Sequence, residues 1–394
     1  MVAVRGPPSF AARNLEHVIT RDLRNAIAQA AAEAGFDQVG DPGLRPTGTP
    51  GQYAASVALT LGVHPRETAA ALAARLGAAS WIATAEVAGP GYLTVTVTPQ
   101  ALAAVADAVA AAGPACVTSD ALAGLTVAAG SPDDPLAAAT WEEARTALAA
   151  QLTARLAAAA GATVADPVAP ERNRLTPTPR PSSLASPARR HTPSDGGAGV
   201  SRHRCDKPEA VPGASLRPEE TNITAGRSAG SSLRATIAYA GRDAVTFALA
   251  RSIPDKTLRI DPEIIARHVL GNPAYAVRYA HARAASGVRW AAISRGWEAA
   301  ALPRPPADPG ELAVLDALSW LPERVATAAR RGRPDEFARY LEDLASVIVD
   351  RLSTVSHPGK GVPPGSGRLA LAEAARTGLA AGLGLLGVGA PDRI

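Results

Sequence analysis

Apolar positions recur along the chain first with a helical period, then with a strand period, then with a helical period again. Leu15, Ile19, Leu23 and Ile27 lie four apart between Ser9 and Ala34, which predicts an amphipathic helix opened by Pro7-Pro8 and stopped by Gly35. A Pro/Gly-rich turn follows over 41–51. A helix is expected at about 52–60, and a third from Pro65 through Ala69, Leu72 and Leu76 to Gly77. The period then changes to two: Leu93, Val95 and Val97 alternate with Thr94, Thr96 and Thr98, the mark of a half-buried strand. Gly89-Pro-Gly91 is the turn before it, and 81–87 holds one or two shorter strands. A helix over 100–112 closes this small α+β region.

Residues 135–160 are alanine-rich and helical, with Trp141, Leu148, Leu152 and Leu156 on one side. From Asp166 to about Gly230 the chain is dense in Pro, Ser, Thr, Gly and Arg, a composition that buries no core and is expected to be a disordered linker. Beyond it, 244–249 is expected to be a strand or short helix and 258–260 an extended piece. Asp261-Pro262 has the form of a helix start, with Asp as cap and Pro at the first position. Helices are expected at 262–270, 273–293, 311–321, 322–331, 334–352 and 368–386, with Leu312, Leu315, Leu318 and Leu321 as an apolar stripe. The fold class is therefore α+β, mainly α. The divisions are a small α+β domain over 1–112, a helical segment over 113–165, a linker over 166–232 and an all-α bundle over 233–394.

Composition narrows the function. Hydrophobic residues make up 47% of the 394, enough for sizeable cores, and no run of about 18 uninterrupted apolar residues is present, so no membrane span is expected. Met1 to Phe10 has no apolar signal core, and a cytoplasmic setting is the default. Cys116 and Cys205 are isolated, and His191 and His203 lie in the linker, so no metal and no cofactor are expected. The net charge of +4 is unevenly spread: residues 1–160 carry 9 basic and 13 acidic side chains, whereas 231–394 carry 21 and 16. The C-terminal half is the face better suited to a polyanion.

Chemistry concentrates in Asn272-Pro-Ala-Tyr-Ala-Val-Arg-Tyr-Ala-His-Ala-Arg283. On a helix opened by Pro273, Tyr275, Tyr279 and Arg283 form one row four apart, with Arg278 beside it. Aromatic faces interleaved with guanidinium groups suit unstacked bases and their phosphates, while a core helix with packed tyrosines fits the same spacing. One of the two tyrosines is expected to be available to a base. Arg278 and Arg283 are candidate phosphate contacts, Arg283 alternatively a salt-bridge partner inside the bundle. His281 is a packing histidine or a contact, and Trp290 and Trp297, a heptad apart, read as core.

This stretch resembles the NPxYYVQYAHAR segment that opens the DALR anticodon-binding domain of arginyl-tRNA synthetases. Gly241-Arg-Asp-Ala-Val-Thr-Phe-Ala-Leu-Ala-Arg-Ser252, Arg339-Tyr-Leu-Glu-Asp-Leu-Ala345 and Gly382-Leu-Gly-Leu-Leu-Gly-Val-Gly-Ala-Pro-Asp-Arg-Ile394 resemble other parts of the same region. Gln52-Tyr53, Val57-Ala-Leu59, His64-Pro-Arg-Glu67 and Glu86-Val-Ala-Gly-Pro-Gly-Tyr-Leu93 resemble the additional N-terminal domain of these enzymes, which leans on the D-loop corner of tRNA. The resemblance implies tRNA, of the arginine type, as partner, and adds Gln52, Tyr53, Arg376 and Arg393 to the candidate contacts.

Three departures stand out. Histidines lie at 17, 64, 191, 203, 268, 281 and 357, so no HxGH-type pair exists. The lysines, Lys207, Lys256 and Lys360, stand in no KMSKS-type loop of the kind that stabilises pyrophosphate charge. Ser346-Val-Ile-Val-Asp-Arg-Leu-Ser-Thr354 lacks the aromatic and histidine side chains that the family carries in this helix. The sequence therefore reads as a non-catalytic tRNA-binding relative of the synthetases, similar to the synthetase-related anticodon-binding proteins of actinobacteria. Alternative readings are a protein-interaction module with a protein partner, and an arginine–tRNA ligase using ATP.

Overall fold

The structure is a computed structural model describing residues 18–36, 40–62, 64–165, 232–294, 308–353 and 366–394. The expected linker, Trp297, His191, His203 and Cys205 lie outside the described residues.

Helix α1 (Ile19–Glu33) buries Ile19, Leu23 and Ile27 of the stripe read from the sequence; Leu15 and the start expected at Pro7-Pro8 lie outside the described residues. A four-stranded antiparallel sheet follows: β1 (Arg45–Pro46), β2 (Gln52–Ala55), β3 (Ile82–Ala88) and β4 (Tyr92–Val97), in the order β1-β2-β4-β3. Strand β4 buries Leu93, Val95 and Val97 and turns Thr94 and Thr96 outward, as its alternation requires. The expected helix over 52–60 is instead β2 followed by the single turn α2 (Ala58–Leu61). Tyr53 and Ala55 face inward while Gln52 and Ala54 pair beside Thr96 and Thr94 of β4, and this pairing overrides the alanine content. Helix α3 (Pro65–Leu76) packs on β3, and the backbone of its Pro65 occupies the space a Cβ at Gly91 would need.

Helix α4 (Pro99–Ala112), capped by Thr98, begins the one stretch among the described residues long and apolar enough to cross a membrane by composition, Pro99–Val117, with mean hydropathy 1.5. Its Ala101, Leu102, Val105, Ala106 and Val109 are buried, which gives the apolar run a packing role. Two short strands, β5 (Thr126–Ala128) and β6 (Thr163–Ala165), pair in parallel and are joined by α5 (Trp141–Ala159), whose start is fixed by a capping box between Thr140 and Glu143. The expected helical segment is thus one βαβ unit, its three-residue strands too short to register as a period in the sequence.

In the C-terminal part the regular elements among the described residues are helices: α6 (Leu233–Ala240), α7 (Arg242–Arg251), α8 (Pro262–Ile265), α9 (Pro273–Ser294), α10 (Pro309–Ser319), α11 (Leu321–Arg331), α12 (Pro334–Ser353) and α13 (Ser366–Leu385). The segment over 244–249 is helix, and the helix expected over 262–270 stops after one turn, at Ile265. Helix α13 lies against α9, α4 and α12. It approaches closely because Leu318 and Leu341 side chains fill the space where Cβ atoms of Gly378 and Gly382 would stand.

The described residues on both sides of the expected linker form one compact unit. A seam joins the sheet and α1 to α10 and α11. Tyr53, with no exposed surface, meets the Ser319 hydroxyl through its own at 3.0 Å, and its ring lies 5.3 Å from that of Trp320. The Thr20 hydroxyl donates to the Ser319 carbonyl, and the Gly51 amide donates to the Asp316 carboxylate at 3.0 Å. At the edge, Arg24 pairs with the buried Glu323, and Arg24 and Arg330 both reach Asp41. Burial raises the pKa of Asp316, chiefly by removing its water.

Candidate nucleic-acid interface

The start of α9 is fixed by Asn272. Its buried side-chain amide donates to the carbonyls of Ile265 and Arg267, each at 2.8 Å, while Pro273 occupies the first turn. The loop over 266–271 is thereby tied to the helix it precedes. One result is that His268 lies against Tyr275, ring centroids 5.4 Å apart and planes 13° from parallel. Tyr275 in turn stacks on Tyr279, at 5.8 Å and 22°. The three rings form a ladder with Tyr275 in the middle. His268 is exposed and the two tyrosines are half-buried. The opposite face of α9, carrying Ala274, Val277, Ala280, His281 and Ala284, is buried.

The arginines differ in how much charge they leave uncompensated. Arg278 pairs with Asp243 of α7 at 3.5 Å. A terminal nitrogen of Arg283 donates to the Leu352 carbonyl at 3.5 Å, a tie to α12 rather than an open cation. Arg376 pairs with Glu373 one turn earlier on α13 at 2.6 Å. Arg393 is exposed near the chain end. His281 is 2% exposed, and its Nδ1 lies 3.0 Å from the Pro391 carbonyl, so it offers RNA almost no surface. Burial pushes its imidazole below the ordinary histidine range. Together with Arg289, which donates to the Asp392 carbonyl at 2.8 Å, it holds the last residues of the chain onto α9.

Gln52 and Tyr53 lie on the two faces of β2. Gln52 is half-buried, and its amide nitrogen approaches the Thr96 hydroxyl at 3.4 Å. Tyr53 requires correction as an RNA contact: it is enclosed in the seam with no surface for a base. Trp290 also departs from its expected core position, being 66% exposed. It stands two residues after Val288, about 200° around the helix from the continuation of the buried row.

Sequence spacing missed His268 and its neighbour Arg267. The helix expected over 262–270 ends at Ile265 instead, and the Asn272 side chain ties the loop that carries them to α9. Arg267 is exposed and forms no ion pair among the described residues. An open crevice of about 680 Å³ lies between the 130–135 loop, α5 and Arg242. There Arg242 grips Asp134 through two hydrogen bonds of 2.6 and 3.0 Å, which holds the Asp134 carboxyl below its usual range. Among the described residues no group of three or more His, Cys, Asp or Glu is placed to hold a metal ion.

Two family models match the chain. Residues 21–97 match the arginyl tRNA synthetase N terminal domain, and residues 277–394 match the DALR anticodon binding domain. The chain is related to the arginyl-tRNA synthetases. The arginine–tRNA ligase of Frankia alni is 37% identical over 166 residues, 39% of this chain and 29% of that enzyme. That of Kineococcus radiotolerans is 38% identical over 159 residues, again 39% of this chain and 29% of the relative. The chain therefore spans under a third of the length of these curated relatives. The arginyl-tRNA synthetase structure of Thermus thermophilus shares the fold, with a TM-score of 0.61 over 95% of this chain and 100% of that chain at 17% identity. In this synthetase-related chain the DALR match begins at Val277, so His268 and Tyr275 lie just before it.

Proposed function

We propose that this chain is a non-catalytic, cytoplasmic tRNA-binding protein that takes an arginine-type tRNA on the exposed side of α9. The observation that carries the reading is the ladder of His268, Tyr275 and Tyr279, at the mouth of a DALR domain packed in one unit with the N-terminal domain. Base stacking on aromatic rings beside uncompensated arginine is a general means of holding unpaired RNA. The absence of an HxGH pair and a KMSKS-type lysine supports binding without adenylate chemistry.

Retention of total tRNA by the purified chain, measured from low to physiological salt, tests this. Neutralising about four to six phosphates makes log affinity fall with log salt at a slope of roughly −3 to −5. No retention at low salt overturns the proposal. A protein-interaction role is the second reading, favoured by the exposure of Tyr239, Val269 and Leu270, and copurification of a protein without RNA would select it. Arginine-dependent ATP–pyrophosphate exchange by the chain would instead establish ligase chemistry.

A further inference from the structure

We propose that His268 is the base-stacking residue of this interface: its outer imidazole face takes an unpaired nucleobase of a single-stranded RNA segment, with Tyr275 as its backing. The inference rests on the RNA-binding reading above and names the atoms that carry it. Tyr275, the aromatic that sequence spacing puts forward first, already stacks with two rings, His268 at 5.4 Å and Tyr279 at 5.8 Å. A base cannot enter between them without breaking the ladder. The ladder's exposed end is His268.

Three further features make that end suitable for a base. Its position is set in advance, because Asn272 ties the loop on both sides of Ala266 through the Ile265 and Arg267 carbonyls. Little conformational freedom is then left to lose on binding. The exposed Arg267 precedes it directly and forms no ion pair among the described residues, leaving its charge for a phosphate of the same nucleotide segment. Val269 and Leu270 follow it at 51% and 54% exposure, an apolar margin that a ribose or base edge can cover. An aromatic face takes any base, so the contact is expected to tolerate sequence and require a single strand.

The test uses the full chain, a labelled single-stranded oligouridylate and total tRNA, with binding followed across a salt series. His268→Ala is expected to weaken both by about 5- to 100-fold, the loss found when one stacking side chain is removed. The salt slope should stay unchanged, and His268→Phe should restore most of the affinity. Arg267→Ala is expected to lower the slope by about one unit. RNA carrying 4-thiouridine should crosslink within the tryptic peptide that contains His268. His268 is exposed, so these variants leave the fold intact, and matching circular dichroism melts confirm it.

Unchanged affinity of His268→Ala in a chain that binds tRNA would overturn the stacking assignment and leave the RNA-binding function standing. Equal losses in His268→Ala and His268→Phe would also overturn it, since the contact would then be polar. A wild-type chain that retains no RNA overturns both proposals. A face that loses a protein partner rather than RNA upon His268→Ala overturns the RNA assignment of this surface.

Discussion

Tyr53 and Tyr275 both enter as tyrosines of synthetase-like segments, and the structure sends them in opposite directions. Tyr53 is on the inward face of β2, sealed against Ser319 and Trp320, residues 266 and 267 positions further along the chain. Tyr275 is half-buried on the outer face of α9, stacked with His268 of the preceding loop and Tyr279 one turn on. The local sequence around each is compatible with either fate. What decides is the second element: the inner face of β2 is covered by Ser319 of α10 and by Trp320, whereas the Tyr275 face of α9 lies against its own preceding loop and the opposite face packs into the bundle. An aromatic residue in a binding motif is therefore a contact only where the tertiary structure leaves a ring face uncovered.

The contrast is sharpest in stability. Tyr53→Ala should empty a fully buried site and destabilise by about 3–5 kcal/mol, while Tyr275→Ala, half-buried at the surface, should stay within about 1 kcal/mol of wild type. Urea melts of the two variants measure this directly, and equal losses would remove the distinction between seam and ladder. Next in size is Arg24→Ala, which strands the Glu323 carboxylate, 6% exposed, without its nearest guanidinium. A loss approaching 3 kcal/mol is expected, and the double variant with Glu323→Gln should recover part of it.

The smallest effect concerns pH. The folded pKa of His281 lies below its unfolded value because burial disfavours the imidazolium. Its contribution is therefore present above the ordinary histidine range, about 6.5, and is lost as pH falls towards the folded pKa. The urea midpoint should drop between pH 7 and pH 5.5, and His281→Gln should flatten that drop. Asp316 works in the opposite sense. Its pKa is raised by burial, so protonation as pH falls towards the ordinary carboxylate range relieves a cost, and Asp316→Asn should remove that gain.

Much of the fold is legible in the sequence where a period runs for two turns or more. Ile19, Leu23 and Ile27 announce α1, Leu93 to Val97 announce β4, and Leu148, Leu152 and Leu156 announce α5. Short elements escape because they have no period to show: β2 is misread as helix, and β5 and β6 pass unnoticed. The seam escapes for another reason. Its bonds, such as Thr20 to Ser319, join residues 299 apart, and neither partner differs locally from a surface threonine or serine. Of the candidate site, the Tyr275–Tyr279 row follows from helical spacing alone. His268 does not, because its place depends on two hydrogen bonds from the Asn272 side chain to carbonyls on either side of Ala266.

The seam also sets a length. With Tyr53, Thr20 and Arg24 locked onto α10 and α11, the outer face of the sheet and the mouth of α9 stand at a fixed spacing. A ligand that touches both must carry its own two features at that interval. Under the tRNA-binding function proposed above, such a scaffold would measure the outline of a folded RNA as a caliper measures a part, and would reject a molecule of suitable sequence whose elbow is bent to another angle.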